Sequence, residues 1–257
     1  VPDLDVVITL RDLGRILPSS WQQHVRNTHT QNYNRYLDRR ARERGDLPPE
    51  QMQAEWDAER HHTFWRSYAY GALVRRWQRL VGADHVTVVT LPPAGTPSTL
   101  LWGRFRAALD VAALPEVAPK LPAFVANVGS TRPEAIFLHA LNVEAKRRGW
   151  NRKAANELQQ RLLSTGFLER PDRGAPLLLP RRHLSRVQGW AQTDADDLIT
   201  TGVIVHGDVA DLTVPDAAAS RGRADGDHIA SAGAFATANA MDYEAELIKR
   251  RKAREAA

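Results

Sequence analysis

Short apolar runs separate longer amphipathic stretches along this chain. Residues 4–10 and 85–91 are mostly apolar or β-branched, which is typical of strands buried on both faces of a parallel sheet. The shorter run 203–205 predicts a third strand. Together with the helical periodicity between them, these runs predict an α/β fold with a parallel central sheet.

Apolar residues recur at helical spacing over most of the remaining chain. This spacing predicts helices over 12–26, 70–81, 97–109, 133–148, 153–165 and 184–198. Pro18 is expected to kink or locally break the first of them. Thr96 is expected to cap the third, with Pro97 as its first residue. The predicted helix ends fall at Gly82, Gly166 and Gly202.

Two segments lack a large apolar face. Residues 28–60 are mostly polar and charge-dense, which predicts a mobile excursion or surface helices. Residues 215–240 are mostly Ala, Gly, Ser and Asp, a composition typical of a flexible linker. The predicted organisation is an α/β domain over 1–214, a linker over 215–240 and a basic C-terminal helix over 241–257.

The composition is that of a globular protein without cysteine. At 257 residues and 43% hydrophobic content, the chain is large enough to bury a substantial core. The absence of cysteine excludes disulfides, a thiol nucleophile and thiolate metal sites. No apolar run approaches the roughly 18 residues of a membrane helix, and no signal-peptide pattern opens the chain. We therefore expect a cytoplasmic protein without membrane contact.

The predicted strands are too few for the sheet that they imply. Two long runs and one short run do not suffice for a parallel sheet covered by helices on both faces. The chain also begins with Val1 rather than Met, only a few residues before the first predicted strand. We therefore expect further strands in an N-terminal portion upstream of this sequence.

The end of the first strand carries a candidate anion site. Arg11 stands where the chain turns from strand to helix, and Ser19 follows eight residues later. Ligands of open α/β sheets bind beyond the carboxyl ends of the strands, where the free N–H groups of a helix favour anions. A guanidinium and a hydroxyl there predict a phosphate site. Alternatively, Arg11 pairs with Asp12 or another nearby carboxylate, and Ser19 and Ser20 only flank a proline kink.

The order of elements resembles the later part of a sulfotransferase of the bacterial, actinobacterial type, in the family that uses 3′-phosphoadenosine 5′-phosphosulfate (PAPS). The matching features are a strand, Arg11, a helix with Ser19, a long excursion, the helix around Trp77, the strand 86–91 and the closing turn 105–111. A looser likeness extends to about residue 214. The resemblance implies a helix-rich part of a P-loop-type three-layer fold that lacks its N-terminal strands.

The same resemblance assigns a ligand and roles to two residues. It implies that Arg11 and Ser19 bind the 3′-phosphate of PAPS or of its product, adenosine 3′,5′-bisphosphate. An acceptor hydroxyl or amine, whose identity stays open, receives the sulfuryl group in such proteins. The implied partners of the chain are thus a nucleotide cosubstrate and this acceptor.

Two parts of the family's active site have no counterpart in this sequence. The Gly- and Ser/Thr-rich loop with a lysine that holds the 5′-phosphosulfate normally lies near the N-terminus, and no Gly-Lys pair occurs here. The catalytic His or Glu of the family also precedes the Arg/Ser motif. The resemblance thus implies half of a nucleotide site, no catalytic residue and no turnover by this chain alone.

Arginine-rich segments suggest an alternative function. The chain has 30 Arg but only 5 Lys, a formal charge of +5, and basic runs at 39–42, 146–148 and 249–252. A noncatalytic helical binding module could use such faces to bind nucleic acid or another polyanion. Acidic residues interrupt most of the runs, so solvated helix faces are the simpler interpretation and nucleic acid is not the expected partner.

The remaining candidate clusters favour structural roles. His61 and His62 lack the spacing of a zinc protease motif, so no metal site is predicted. Asp208 and Asp211, which follow His206, are expected to cap and solvate a turn. No Gly-x-Ser-x-Gly elbow of a hydrolase occurs. The loop 127–130 is a looser candidate for phosphate contact, and most tryptophans are expected in the core.

Overall fold

A computed structural model describes residues 4–45, 63–110, 114–115, 129–167, 170, 172–220 and 226–255. Its strands are β1 (Val6–Leu10), β2 (Val86–Thr90), β3 (Leu179–Pro180), β4 (Ile204–His206) and β5 (Ala219–Ser220). Its α-helices are α1 (Leu13–Arg26), α2 (Tyr33–Arg44), α3 (Thr63–Tyr68), α4 (Tyr70–Val81), α5 (Ser98–Leu109), α6 (Arg132–Arg147), α7 (Arg152–Arg161), α8 (Arg181–Thr200) and α9 (Gly226–Glu255). The helix-rich α/β class predicted from the sequence is confirmed.

The chain divides into two compact units. The sheet unit comprises Val1–Leu17, Leu37–Ala126 and Leu179–Ala219. The helical unit comprises Pro18–Tyr36, Asn127–Leu178 and Ser220–Ala257. This division differs from the predicted single domain over 1–214, because segments far apart in sequence pack together as a helical body that contains no strand of the parallel sheet.

A three-stranded parallel sheet in the order β1-β2-β4 forms the centre of the sheet unit. Ile8 of β1 is in register with Val88, and Val88 is in register with Val205 of β4. β2 lies between the other two strands, and four of its five side chains are buried. A central parallel strand must be apolar on both faces, which explains why residues 86–90 do not alternate between apolar and polar.

Helices α4 and α8 approach each other closely within the sheet unit. A Cβ on Gly71 of α4 would overlap the carboxylate of Asp197 and lie 2.9 Å from its main-chain carbon. Val74 and Leu198, on the same two helices, are buried. A glycine at 71 is therefore what allows the predicted apolar stripe of α4 to pack at this distance.

Pro18 lies inside α1, which continues without interruption from Leu13 to Arg26. A proline within a helix removes one hydrogen bond and costs about 3 kcal/mol. Burial of a single large apolar side chain contributes about 1.5–3 kcal/mol, and both Leu17 and Trp21 of α1 are buried. Of the kink or local break predicted at Pro18, the break is therefore wrong, and burial on either side of the proline offsets the lost bond.

Two predicted helix boundaries also differ from the structure. Helix α5 begins at Ser98 with Pro97 at its N-cap position, while the Thr96 hydroxyl donates to the carbonyl of Pro93 at 2.8 Å. Thr96 thus stabilises the preceding turn rather than the helix, an alternative open to hydroxyl side chains. The stop predicted at Gly166 is wrong as well, because a π-helical turn, Leu162–Phe167, continues past it.

The predicted linker is wrong over residues 226–240, which belong to α9. Ala232 and Ala236 are fully buried, and Gly233 lies where a Cβ would come within about 3 Å of the Phe137 ring. Alanine has the highest helix propensity, and small side chains let a helix approach its neighbours without large apolar residues. A composition typical of a linker therefore also suits a closely packed helix.

Part of the predicted polar excursion is helical. Residues 33–44 form α2, in which Tyr36 and Leu37 are buried, whereas 46–62, with His61 and His62, lie outside the described residues. Among the helices that the structure describes, none is long and apolar enough to cross a membrane.

Thr28 follows the end of α1 in a backbone conformation that favours glycine, with φ at 64°. Its N–H donates to the carbonyl of Val25 at 2.9 Å, and the N–H of His29 donates to that of His24 at 3.2 Å. These two bonds form a Schellman motif, whose left-handed position is usually glycine. A β-branched residue there is strained.

We expect Thr28→Gly to raise the free energy of unfolding by about 0.5–1 kcal/mol. Relief of a left-handed β-branched residue gains about 1–2 kcal/mol, and the greater freedom of glycine in the unfolded chain offsets part of it. Urea denaturation of the purified variant measures the change. Thr28→Ala is the matched control because it removes the hydroxyl but keeps the Cβ. Equal stability of the two variants would contradict the explanation.

Candidate functional site

Arg11 lies directly beyond the carboxyl end of β1, two residues before the start of α1. The hydroxyl of Tyr70 donates to its carbonyl oxygen, and the N–H of Leu91 donates to the carbonyl of Leu10 at 2.7 Å. These contacts fix the main chain on both sides of the strand end. The position is the one at which parallel α/β sheets commonly bind ligands.

Asp12 does not serve as the ion-pair partner of Arg11. Its carboxylate accepts the main-chain N–H of Arg15 at 2.9 Å and also binds the Arg15 guanidinium. The other nitrogens of that guanidinium donate to the carbonyls of Pro92 at 2.9 Å and Leu91 at 3.2 Å. Asp12 therefore caps the first turn of α1 and neutralises Arg15, so the alternative pairing of Arg11 with Asp12 is wrong.

Among the described residues, the guanidinium of Arg11 has no counter-ion. Within the described part of the chain it forms no ion pair, and its Nε is buried without a hydrogen-bond partner. Burial lowers the pKa of Arg11, and the nearby charge of Arg15 lowers it further, while Asp12 and Tyr70 oppose the shift. A half-buried cation beside a second cation is complementary to an anionic ligand.

Ser19 is exposed on α1, and its hydroxyl makes no hydrogen bond among the described residues. Its neighbour Ser20 differs, because the hydroxyl of Tyr36 donates to it at 2.7 Å. Arg11 belongs to the sheet unit and Ser19 to the helical unit. Arg11 and Ser19 thus both have hydrogen-bond donors without a partner among the described residues. That the two residues bind the same phosphate stays a prediction.

The carboxyl end of β2 carries a polar network in which Thr90, Arg104 and Asp211 bind one another. The Thr90 hydroxyl donates to Asp211 at 2.8 Å, and Arg104 donates to Asp211 at 2.5 Å and to the carbonyl of Thr90 at 2.8 Å. Asp208 caps the turn Val209–Leu212 by accepting from Ala210 at 2.8 Å. The prediction that Asp208 and Asp211 stabilise a turn is confirmed, with Arg104 as a partner that the sequence did not indicate.

The basic runs at 39–42 and 146–148 are largely paired with acids nearby in sequence. Arg39 and Arg40 bind Glu43 at 2.7 and 2.5 Å. Arg147 and Arg148 both bind Glu144, which lowers the pKa of that carboxyl to about 2. These runs form acid-base helix faces rather than uniformly cationic surfaces.

A buried charge cluster in the helical unit was not anticipated from the sequence. Glu134 is fully buried, binds Arg173 at 2.7 Å and lies 3.7 Å from the buried guanidinium of Arg170. The predicted phosphate loop lies beside it. Of that loop, 127–128 fall outside the described residues, and Ser130 accepts hydrogen bonds from Gln22 and Arg26. The described part of the loop is thus occupied by contacts within the protein.

The prediction that most tryptophans lie in the core is confirmed only in part, because Trp77, Trp102 and Trp190 are partly exposed and Trp56 lies outside the described residues. Trp21 and Trp65 are buried, whereas Trp150 is 42% exposed. No cluster of three or more His, Asp or Glu side chains that could hold a metal ion occurs among the described residues.

Comparison with known proteins assigns no function to these features. The chain matches no protein-family model, no curated protein and no solved structure.

Proposed function

We propose that this chain is a sulfotransferase-like protein that binds the 3′-phosphate of PAPS, or of adenosine 3′,5′-bisphosphate, through Arg11 and Ser19. One observation supports this proposal most. The guanidinium of Arg11 is half-buried at the end of a parallel strand, its Nε has no partner among the described residues, and the carboxylate of the adjacent Asp12 is bound to Arg15. The helix-rich α/β class and the parallel sheet are compatible with the P-loop-type three-layer fold of that family.

A terminal phosphate fits the chemistry of these groups. Its negative charge compensates that of Arg11, since Asp12 is bound to Arg15, and a guanidinium fork can donate to two phosphate oxygens at once. The hydroxyl of Ser19 supplies a further donor. When bound, PAPS would supply the sulfuryl group for transfer to an acceptor hydroxyl or amine. We assign nucleotide binding to the chain and no catalytic residue.

Adenosine 3′,5′-bisphosphate is expected to stabilise the full 257-residue chain against thermal unfolding. A ligand at 100 times its Kd contributes about 2.7 kcal/mol, which corresponds to a rise of roughly 5–10 °C in Tm for a chain of this size. Arg11→Ala should abolish the rise, and Ser19→Ala should reduce it. Differential scanning fluorimetry over a range of ligand concentrations measures these shifts.

Two controls separate recognition of the 3′-phosphate from general anion binding. Adenosine 5′-monophosphate, which lacks that phosphate, should give a much smaller shift. Arg35→Ala removes an exposed arginine of α2 and should leave the shift unchanged. An equal rise in the wild type and in a folded Arg11→Ala variant would refute the proposal. Salt-sensitive binding of duplex DNA without any response to the bisphosphate would instead favour the polyanion-binding alternative.

A further inference from the structure

A cleft of about 400 Å³ opens within the helical unit, in the size range of small-molecule sites. It lies where α1 and α6 end and where α7 begins. We call it the Trp150 cleft, and its described lining comprises 27–30, 142, 145–146, 149–150, 152 and 155. None of its lining residues has a role in the proposed phosphate site.

Hydrogen bonds to main-chain carbonyls stabilise the walls of the Trp150 cleft. At the end of α6, the N–H of Gly149 donates to Lys146 at 3.1 Å and that of Trp150 donates to Ala145 at 2.9 Å. The amide of Asn142 donates to the carbonyls of Val25 at 2.8 Å and His29 at 3.1 Å. Main-chain acceptors at the ends of both helices are therefore satisfied within the protein, and the cleft is preorganised.

Two cations without a partner in the described part of the chain give the cleft its charge. Lys146 and Arg152 both line it and, among the described residues, neither side chain has an ion-pair or hydrogen-bond partner. The adjacent Arg147 and Arg148 differ from them, because both bind Glu144. No acidic residue belongs to the described lining, so the cleft attracts anions.

Aromatic and neutral polar groups complete the lining. Trp150 exposes 42% of its surface, so a flat apolar ring is available to a ligand. Burial lowers the pKa of His29, and the charge of Arg152 lowers it further, so its imidazole is neutral at pH 7. A neutral imidazole adds a hydrogen-bonding group without adding charge.

We propose that the Trp150 cleft binds a small aryl anion, such as an aryl sulfate, phosphate or carboxylate. Lys146 and Arg152 hold the acidic group, and the indole of Trp150 packs against the ring. Neither part suffices alone, because an exposed ion pair contributes little in water and the exposed indole offers only a modest apolar area. The proposal does not depend on nucleotide binding at Arg11.

Isothermal titration of the full chain with 2-naphthyl sulfate tests this site. We expect binding that weakens as NaCl rises from 50 to 500 mM, because exposed charges are screened by salt. Inorganic sulfate and 2-naphthol, which each carry one half of the ligand, should bind at least about tenfold more weakly. Lys146→Gln, Arg152→Gln and Trp150→Ala should each raise Kd by about tenfold.

Matched variants show whether 2-naphthyl sulfate binds in the Trp150 cleft or elsewhere on the chain. Lys153→Gln removes a neighbouring exposed cation of α7 that does not line the cleft, and it should leave Kd unchanged. Arg11→Ala should also leave it unchanged. A normal Kd in a folded Lys146→Gln/Arg152→Gln double variant would overturn the proposal. Equal affinity for inorganic sulfate and 2-naphthyl sulfate would refute the role of Trp150. Loss of binding in Arg11→Ala alone would place the ligand at Arg11, and this outcome would leave the proposed function intact.

Discussion

Arg44→Ala is expected to lower the free energy of unfolding by about 3–5 kcal/mol, the range for removing one partner of a buried ion pair. Arg44 and Asp194 expose only 2% and 3% of their side chains, and their closest nitrogen and oxygen lie 2.6 Å apart. The Arg44 guanidinium also lies 4.7 Å from the ring centre of Trp65 and 5.3 Å from that of Trp190. Alanine would leave a buried carboxylate unpaired and would remove the cation that lies against two indoles.

The loss should depend on pH. Burial raises the pKa of Asp194 to about 6, although Arg44 opposes the shift. Without Arg44 this pKa rises further, so the folded variant binds a proton more tightly than the unfolded chain does. An acid whose pKa is higher in the folded state loses stability as pH rises above its unfolded value near 4. The difference between wild type and Arg44→Ala is therefore smaller at pH 5 than at pH 7.

Urea denaturation at both pH values measures these differences. Arg75→Ala is the matched control, because Arg75 also binds a carboxylate of α8, Asp197, with both distances at 2.8 Å. Its side chain is 31% exposed, so the expected loss is about 1 kcal/mol or less. Replacement of both members of the buried pair by Arg44→Met/Asp194→Leu should cost less than Arg44→Ala alone. A loss in Arg44→Ala no larger than in Arg75→Ala would contradict our account of the buried pair.

The sequence predicts correctly those elements that carry a regular pattern of apolar residues. The runs at 4–10 and 85–91 contain the parallel strands β1 and β2, and the apolar stripe over 70–81 forms α4 between the predicted bounds. A buried parallel strand or an amphipathic helix is specified by local periodicity. The prediction of a linker up to residue 240 is wrong because this periodicity is missing there. Helix α9 packs through alanine and glycine, which give no strong apolar periodicity.

Charge pairing is harder to predict because it depends on distant segments. Arg44 and Asp194 are separated by 150 residues, and nothing local distinguishes Arg44 from the solvated arginines that precede it. The pairing of Asp12 with Arg15 is different. Their spacing of three residues at a predicted helix start is a local signal of a helix cap. This spacing alone predicts that Asp12 binds Arg15 rather than Arg11.

Glu134→Gln is expected to be about as damaging as Arg44→Ala, with a loss of about 3–5 kcal/mol. Glu134 is fully buried, accepts from Arg173 at 2.9 and 2.7 Å, and lies 3.7 Å from Arg170. Its second oxygen also accepts the N–H of Thr131 at 2.8 Å, which caps α6. Glutamine keeps the size of the side chain but removes the charge that faces both arginines, and its amide nitrogen cannot accept a hydrogen bond.

Glu144→Gln, on the same helix, is the control that separates the effect of burial from the effect of binding two arginines. Glu144 also binds two arginines, Arg147 and Arg148, but all three side chains are at least 40% exposed. Water solvates these arginines after the charge is removed, so the unfolding midpoint in urea should change little. Arg170 beside Glu134 is buried and lacks this solvation, and Arg173 is only 21% exposed. Comparable midpoints for Glu134→Gln and Glu144→Gln would mean that the buried cluster does not depend on its carboxylate charge.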